Sequence, residues 1–194
     1  MNLAYLILGY LALYLVIWSH EVAHAVMYKR YGCKENPFVV HVPLHLLFST
    51  PAPLDEKKAQ SLGAKENYHI GIAGVLLNLA FGVPLFFVLA FNKFSSINLL
   101  YYFAQLFTIF HILEATTYLV INNIFLSGDM TAIEEYNPKL RLPYFVLGLV
   151  SLTMLTLLIL KSPREWMAGI VVVAVIIAGT MGLGRVLFGK LRKQ

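Results

Sequence analysis

Charge is scarce in this chain. Asp, Glu, Lys and Arg make up 13% of its 194 residues, about half the roughly 25% usual in a soluble globular domain. By contrast, 59% of the residues are hydrophobic and the mean hydropathy is +0.72. That balance excludes an ordinary soluble fold and marks a membrane protein. Cysteine is scarcer still: Cys33 stands alone, which excludes an internal disulfide framework. Histidine occurs without adjacent pairs, which is too little for the ligand set of a di-iron oxidase or desaturase. Internal repeats and low-complexity tracts are also missing. The N-terminal run lacks a basic leader and stays apolar through His20 to Tyr28, so it is expected to be a retained span rather than a cleaved signal peptide. The net charge of +5 does not point to nucleic acid, because the basic residues sit between and after apolar runs, where orientation signals belong.

What is abundant is apolar sequence in long runs. Crossing roughly 30 Å of hydrocarbon takes about 20 residues of helix, and residues 3–28, 69–91, 97–121, 143–160 and 167–188 qualify. The expectation is an all-α polytopic membrane protein of about five helices, because a helix satisfies its own backbone in lipid. It forms a single domain over 1–194, with a core over 1–135 and accessory helices over 143–188. Pro84 predicts a kink or break in the second span. Lys29, Arg30, Lys34, Lys57, Lys58, Lys65, Lys139, Arg141, Arg185, Lys190, Arg192 and Lys193 fall on one side, and only Lys93, Lys161 and Arg164 on the other. The positive-inside rule then puts the N-terminus outside and the C-terminus in the cytoplasm of a multi-pass cell-membrane protein. After the first span, residues 37–48 are apolar, β-branched and interrupted by Pro37 and Pro43. They are expected to form a short extended or re-entrant piece packed against the bundle.

Three ionisable side chains inside the first span are the costliest feature to explain. His20 and His24 lie one helical turn apart on one face, a spacing that lets two imidazoles hold one Zn²⁺, with Glu21 beside them as a general base. At about 1.5 Å rise per residue, His24 lies roughly 7 Å and His20 roughly 13 Å from the basic end near Lys29, on the cytoplasmic half. Hydrolytic zinc usually takes three protein ligands and leaves one position open. Asp129, His111 and Glu114 are candidates for the third, with Asp129 first and Glu134 and Glu135 behind. Gly128 gives the backbone freedom to turn Asp129 back toward the bundle. His111 and Glu114 read otherwise as a pair orienting the ligands or as a buried contact between helices. His41 and His45, separated by Pro43, are not expected to pair on a metal.

His20-Glu21-Val22-Ala23-His24 in the first span, Gly74-Val75-Leu76-Leu77-Asn78 in the next and Asn122 to Asp129 after the third resemble the three sequence marks of the site-2 protease family of intramembrane zinc metalloproteases. The resemblance covers roughly residues 15–135. It implies that His20, His24 and Asp129 bind one Zn²⁺, that Glu21 activates water, and that Asn78 sits near the scissile peptide of a membrane-spanning protein substrate. A polar helix-packing role is the other reading of Asn78. The chain departs from the family where it has Val75 in place of Pro, no Pro between Asn122 and Asp129, Gly128 before the Asp and Met130 after it. Two other functions remain open: a zinc-binding membrane regulator or chaperone without catalysis, and a transporter whose buried His, Glu and Asp line a cation path.

Overall fold

The computed structural model describes residues 3–91, 98–184 and 187. Among these there is no strand, and the helices are α1 (Leu3–Arg30), α2 (Glu56–Gln60), α3 (Ala64–Phe91), α4 (Leu99–Thr116), α5 (Asn123–Phe125), α6 (Met130–Tyr136), α7 (Arg141–Lys161) and α8 (Arg164–Ile177). A π turn over Thr117–Asn122 joins α4 to α5, a 3-10 turn over Pro138–Leu140 leads into α7, and a second π turn over Ala178–Leu183 follows α8.

Among the described residues, four helices are long and apolar enough to cross a membrane: Leu3–Arg30, Ala64–Phe91, Leu99–Phe125 and Pro138–Lys161. This all-α polytopic fold therefore differs from the expected count by one. The fifth stretch, 167–188, is regular α-helix only to Ile177 and then a π turn, and its Arg185, Val186 and Phe188 lie outside the described residues. So do the expected first residue of the third span, Ile97, and Lys93, Lys190, Arg192 and Lys193. The second span begins at Ala64 rather than residue 69, because the helix carries its polar first turns, with Lys65, Glu66 and Asn67, beyond the apolar run. Nor does Pro84 break it; α3 runs through as one helix, a tolerance that neighbouring helices allow in a membrane.

Leu99–Phe125 is the central span. Its apolar window is 78% buried within the protein, against 22% for Leu3–Arg30 and for Pro138–Lys161. Around it pack α1, α3 and α7, and their outer faces carry exposed Leu6, Ile7, Phe87, Val88, Val146 and Val150. Such an apolar mantle suits lipid, not water. At one end of the bundle Tyr102 of α4 meets Tyr5 of α1 at 4.7 Å and Trp166 of α8 at 4.8 Å between ring centroids. Gln105, buried on α4, donates to the Leu158 carbonyl (3.1 Å) and to Ser162 Oγ (2.9 Å), tying α4 to the end of α7.

The end of α1 is made by glycine. Gly32 takes φ 73°, the Gly32 N–H donates to Lys29 O at 3.0 Å and the Cys33 N–H to Tyr28 O at 2.9 Å. These two bonds cap the last carbonyls and turn the chain back. Residues 37–48 then climb the outside of α1: Phe38 stacks on Trp18 (6.5 Å), and the Tyr10 hydroxyl donates to Leu44 O (2.8 Å). One antiparallel bridge, His41 with Thr50, closes the loop, and Lys34 Nζ staples its base by donating to Pro51 O and Pro53 O, both at 2.8 Å. Burial lowers the pKa of that ammonium. The segment packs back along α1 and is irregular rather than a strand.

The first π turn meets α7 at Gly148, where a Cβ would lie 2.8 Å from Leu119 Cβ and 3.0 Å from the Leu119 carbonyl carbon. Gly148→Ala is therefore expected to destabilise the bundle by about 1–3 kcal/mol through overpacking. Gly169→Ala on α8, where an added carbon meets nothing within 4 Å, is expected to be neutral or to stabilise by up to about 1 kcal/mol. Denaturant unfolding of both variants in detergent checks the contrast.

Candidate metal centre

His20 and His24 sit in the deepest part of α1, 1% and 5% exposed. Their Nε2 atoms are 2.9 Å apart. Asp129 Oδ2 lies 3.3 Å from His24 Nε2 and 3.6 Å from His20 Nε2. A tetrahedral zinc site, with bonds of about 2.0–2.1 Å, sets its ligand atoms about 3.3 Å apart. The three separations bracket that edge, and among the described residues these side chains form a group that could hold a metal ion. Asp129 Oδ2 is buried and accepts no well-formed hydrogen bond. Two imidazole nitrogens and a carboxylate oxygen converging in this way need a proton or a cation between them.

Asp129 comes to the histidines by a reversal after α5. Leu126 and Gly128 adopt φ 49° and 55°, the left-handed region that glycine enters freely. Arg141, at the start of α7, closes the strap. It donates from Nη2 to Asn123 O at 2.8 Å and lies 3.4 Å from Glu134, while Asn123 Nδ2 donates back to Arg141 O at 2.9 Å. Burial opposes ionisation of Asp129, but His24 and His20 outweigh it and hold its carboxyl well below the usual range. Its side chain is 22% exposed, although the Oδ2 that faces the histidines is buried.

One face of α3 receives all three donors. His24 Nδ1 donates to Ile70 O at 2.7 Å; since a carbonyl only accepts, the proton sits on Nδ1 and the Nε2 lone pair faces the centre. A Cβ on Gly71 would lie 3.1 Å from Asp129 O, and one on Gly74 would lie 2.5 Å from His20 Cε1. Asn78 Nδ2 lies 3.1 Å from His20 Nδ1 and Asn78 Oδ1 lies 2.9 Å from His111 Nδ1. Behind His20, Tyr118 of the π turn stacks at 5.0 Å and 14°. A π turn beside a cluster of polar side chains is a recurrent functional arrangement.

Glu21 is buried beside His20 on α1, 7% exposed. Both amide atoms of Asn78, which is fully buried, are engaged with imidazoles. His111 stands one step back on Asn78, and Glu114, buried a turn further along α4, is not in the trio. Glu134 pairs with Arg141 and Glu135 is exposed. His41 bridges to Thr50 through its backbone while His45 Nδ1 accepts from the Leu47 N–H, and neither joins a metal group. Sequence reasoning missed Ile70 O, Tyr118 and Arg141. Gly71 had a signal, since Gly71, Gly74 and Asn78 recur at helical spacing, the pattern of a closely approached face.

Two outcomes follow. Gly74→Ala is expected to displace the His20 ring and to cut metal retained per purified chain by at least about tenfold, read by elemental analysis; Gly74→Ala with full metal content contradicts the packing argument. Metal affinity is also expected to fall on acidification, because ligating nitrogens must be deprotonated. Chelator competition across a pH series reads it, and an affinity that does not change with pH contradicts ligation by imidazole. No protein-family model matches the chain, and no match is found among curated proteins or solved structures, so the centre stands on its own geometry.

Proposed function

We propose that this chain is an intramembrane zinc metalloprotease that hydrolyses peptide bonds of membrane-spanning protein segments. The observation that carries the reading is the convergence of His20, His24 and Asp129 within 4.8 Å, with a buried carboxylate, Glu21, next to the first histidine. Two imidazoles and one carboxylate are a donor set that zinc takes in hydrolytic sites, and three protein ligands leave a position free. Zinc held there supplies Lewis acidity that makes water nucleophilic near neutral pH and polarises a carbonyl. Glu21 takes the proton from the attacking water and returns it to the leaving amine. His24 is held by Ile70 O, His20 by Asn78 and Tyr118, and Asp129 by the Arg141 strap, so the donors are preorganised.

A substrate helix hides its peptide bonds and has to unwind locally. Residues 37–48 support that step, since they lie against α1, the helix that carries both histidines, and leave Phe38, Val39 and Leu44 exposed. An extended substrate can pair with such a segment. The basic residues Lys29, Arg30, Lys34, Lys57, Lys58 and Lys65 cluster at the end of the bundle nearest the centre, which supports a cytoplasmic-side site in the cell membrane with the N-terminus outside.

A zinc-binding regulator without catalysis is the second reading. It is favoured by the engagement of both Asn78 amide atoms with His20 and His111, which leaves no amide free for a peptide. Glu21→Gln separates the two. The expected outcome is at least about a hundredfold loss of cleavage of a transmembrane substrate in proteoliposomes, the scale of a lost general base, with one zinc per chain retained. Undiminished cleavage by Glu21→Gln overturns the mechanism. Stoichiometric zinc with no cleavage by wild type favours the regulator, and weakly held metal with measurable flux favours a cation path.

A further inference from the structure

Three helices meet at the Asn78 side chain. On one side is His20 of α1, at 3.1 Å through Nδ1; on the other is His111 of α4, at 2.9 Å through Nδ1. His111 is fully buried, its ring lies 5.3 Å from Phe81 and 4.4 Å from Phe107 between centroids, and its Nε2 has no hydrogen-bond partner. An amide is nearly symmetric in shape, so a half-turn in place exchanges its oxygen and its NH₂. The two orientations are not equivalent for His20. With NH₂ toward His20, Nδ1 must accept, and the ring proton sits on Nε2, where it blocks coordination. With oxygen toward His20, Nδ1–H donates and Nε2 offers its lone pair.

We propose that His111 is a positioning residue that acts through Asn78 to select the metal-binding tautomer of His20. Asn78 can turn its oxygen to His20 only if its NH₂ finds an acceptor on the far side. A neutral His111 with its proton on Nε2 supplies that acceptor at Nδ1. The amide is placed with Nδ2 toward His20 and Oδ1 toward His111; with the two atoms exchanged, the chain of donors runs in one direction, from His20 Nδ1–H to Asn78 Oδ1 and from Asn78 Nδ2–H to His111 Nδ1. His24 needs no such device, since Ile70 O already fixes its tautomer. The inference rests on the reading of His20 as a metal ligand and assigns Asn78 to holding that ligand, not to touching a peptide.

The test is zinc affinity by chelator competition on the full chain in detergent, with ¹⁵N histidine NMR of the zinc-loaded wild type. Asn78→Ala and His111→Phe are each expected to weaken zinc about 10–100-fold, the usual effect of losing an outer partner of a ligand, and the double variant is expected to be no worse than Asn78→Ala alone. Asn78→Asp, an acceptor at both oxygens, is expected to restore tight binding in the His111→Phe background. Wild-type spectra are expected to show the proton on Nδ1 of His20 and on Nε2 of His111, a readout that does not depend on any variant folding. A His111 proton on Nδ1, or unaltered zinc affinity in folded His111→Phe, overturns the proposal. His20→Ala, run alongside, separates the failures: zinc kept by that variant sinks the ligand assignment itself.

Discussion

Adding a single carbon to Gly74 would bring it 2.5 Å from the His20 ring, and adding one to Gly71 would bring it 3.1 Å from the Asp129 carbonyl. The closeness of α3 to its neighbours is thus set by the absence of two side chains. Everything at the centre depends on it. With α3 this near, its Ile70 carbonyl and its Asn78 amide reach the two histidines of α1, and the strap after α5 can lay Asp129 against the same face. A wider spacing would leave four buried polar groups without partners, each at a cost of about 1–3 kcal/mol.

Polar groups placed this deep in an apolar bundle are tolerable only as a connected set. His20, Asn78 and His111 form one hydrogen-bonded line from α1 through α3 to α4, and His24 is held beside it by Ile70 O. Tyr118 covers it on one side, and Asp129 closes its open end. The central span is also the least regular helix of the four. Its π turn places Tyr118 on His20 while Gly148 of α7 lets the bulge approach, so the irregular backbone is covered by protein, as it must be away from water.

Much of this was legible from the residues alone, and the rest was hidden for physical reasons. Hydropathy located α1, α3, α4 and α7, because each is apolar over the length of a span, whether it faces lipid or, as α4 does, mostly its neighbours. At 167–188 the apolar run is helical over Arg164–Ile177 and continues into a π turn over Ala178–Leu183, and its last residues lie outside the described ones. Hydropathy began the second span late, because Lys65, Glu66 and Asn67 are polar yet helical. The His20 and His24 pair was visible as a four-residue spacing. The role of Ile70 was invisible, since a carbonyl carries no residue signature, and so was the clasp of Arg141 on Asn123, which runs partly through the backbone. Residues 37–48 were readable as a piece packed against the bundle from their prolines and apolar content, but their path along Trp18 and Tyr10 is a tertiary fact.

X-ray absorption at the zinc edge of the purified wild-type protein tests the central claim most directly. The account predicts a four-coordinate ion with two imidazole nitrogens and oxygen donors at about 2.0–2.2 Å and no sulfur, the imidazole count falling by one in His20→Ala. A sulfur shell at about 2.3 Å, which only Cys33 or a methionine could supply, or a shell of oxygens without imidazole, would contradict it.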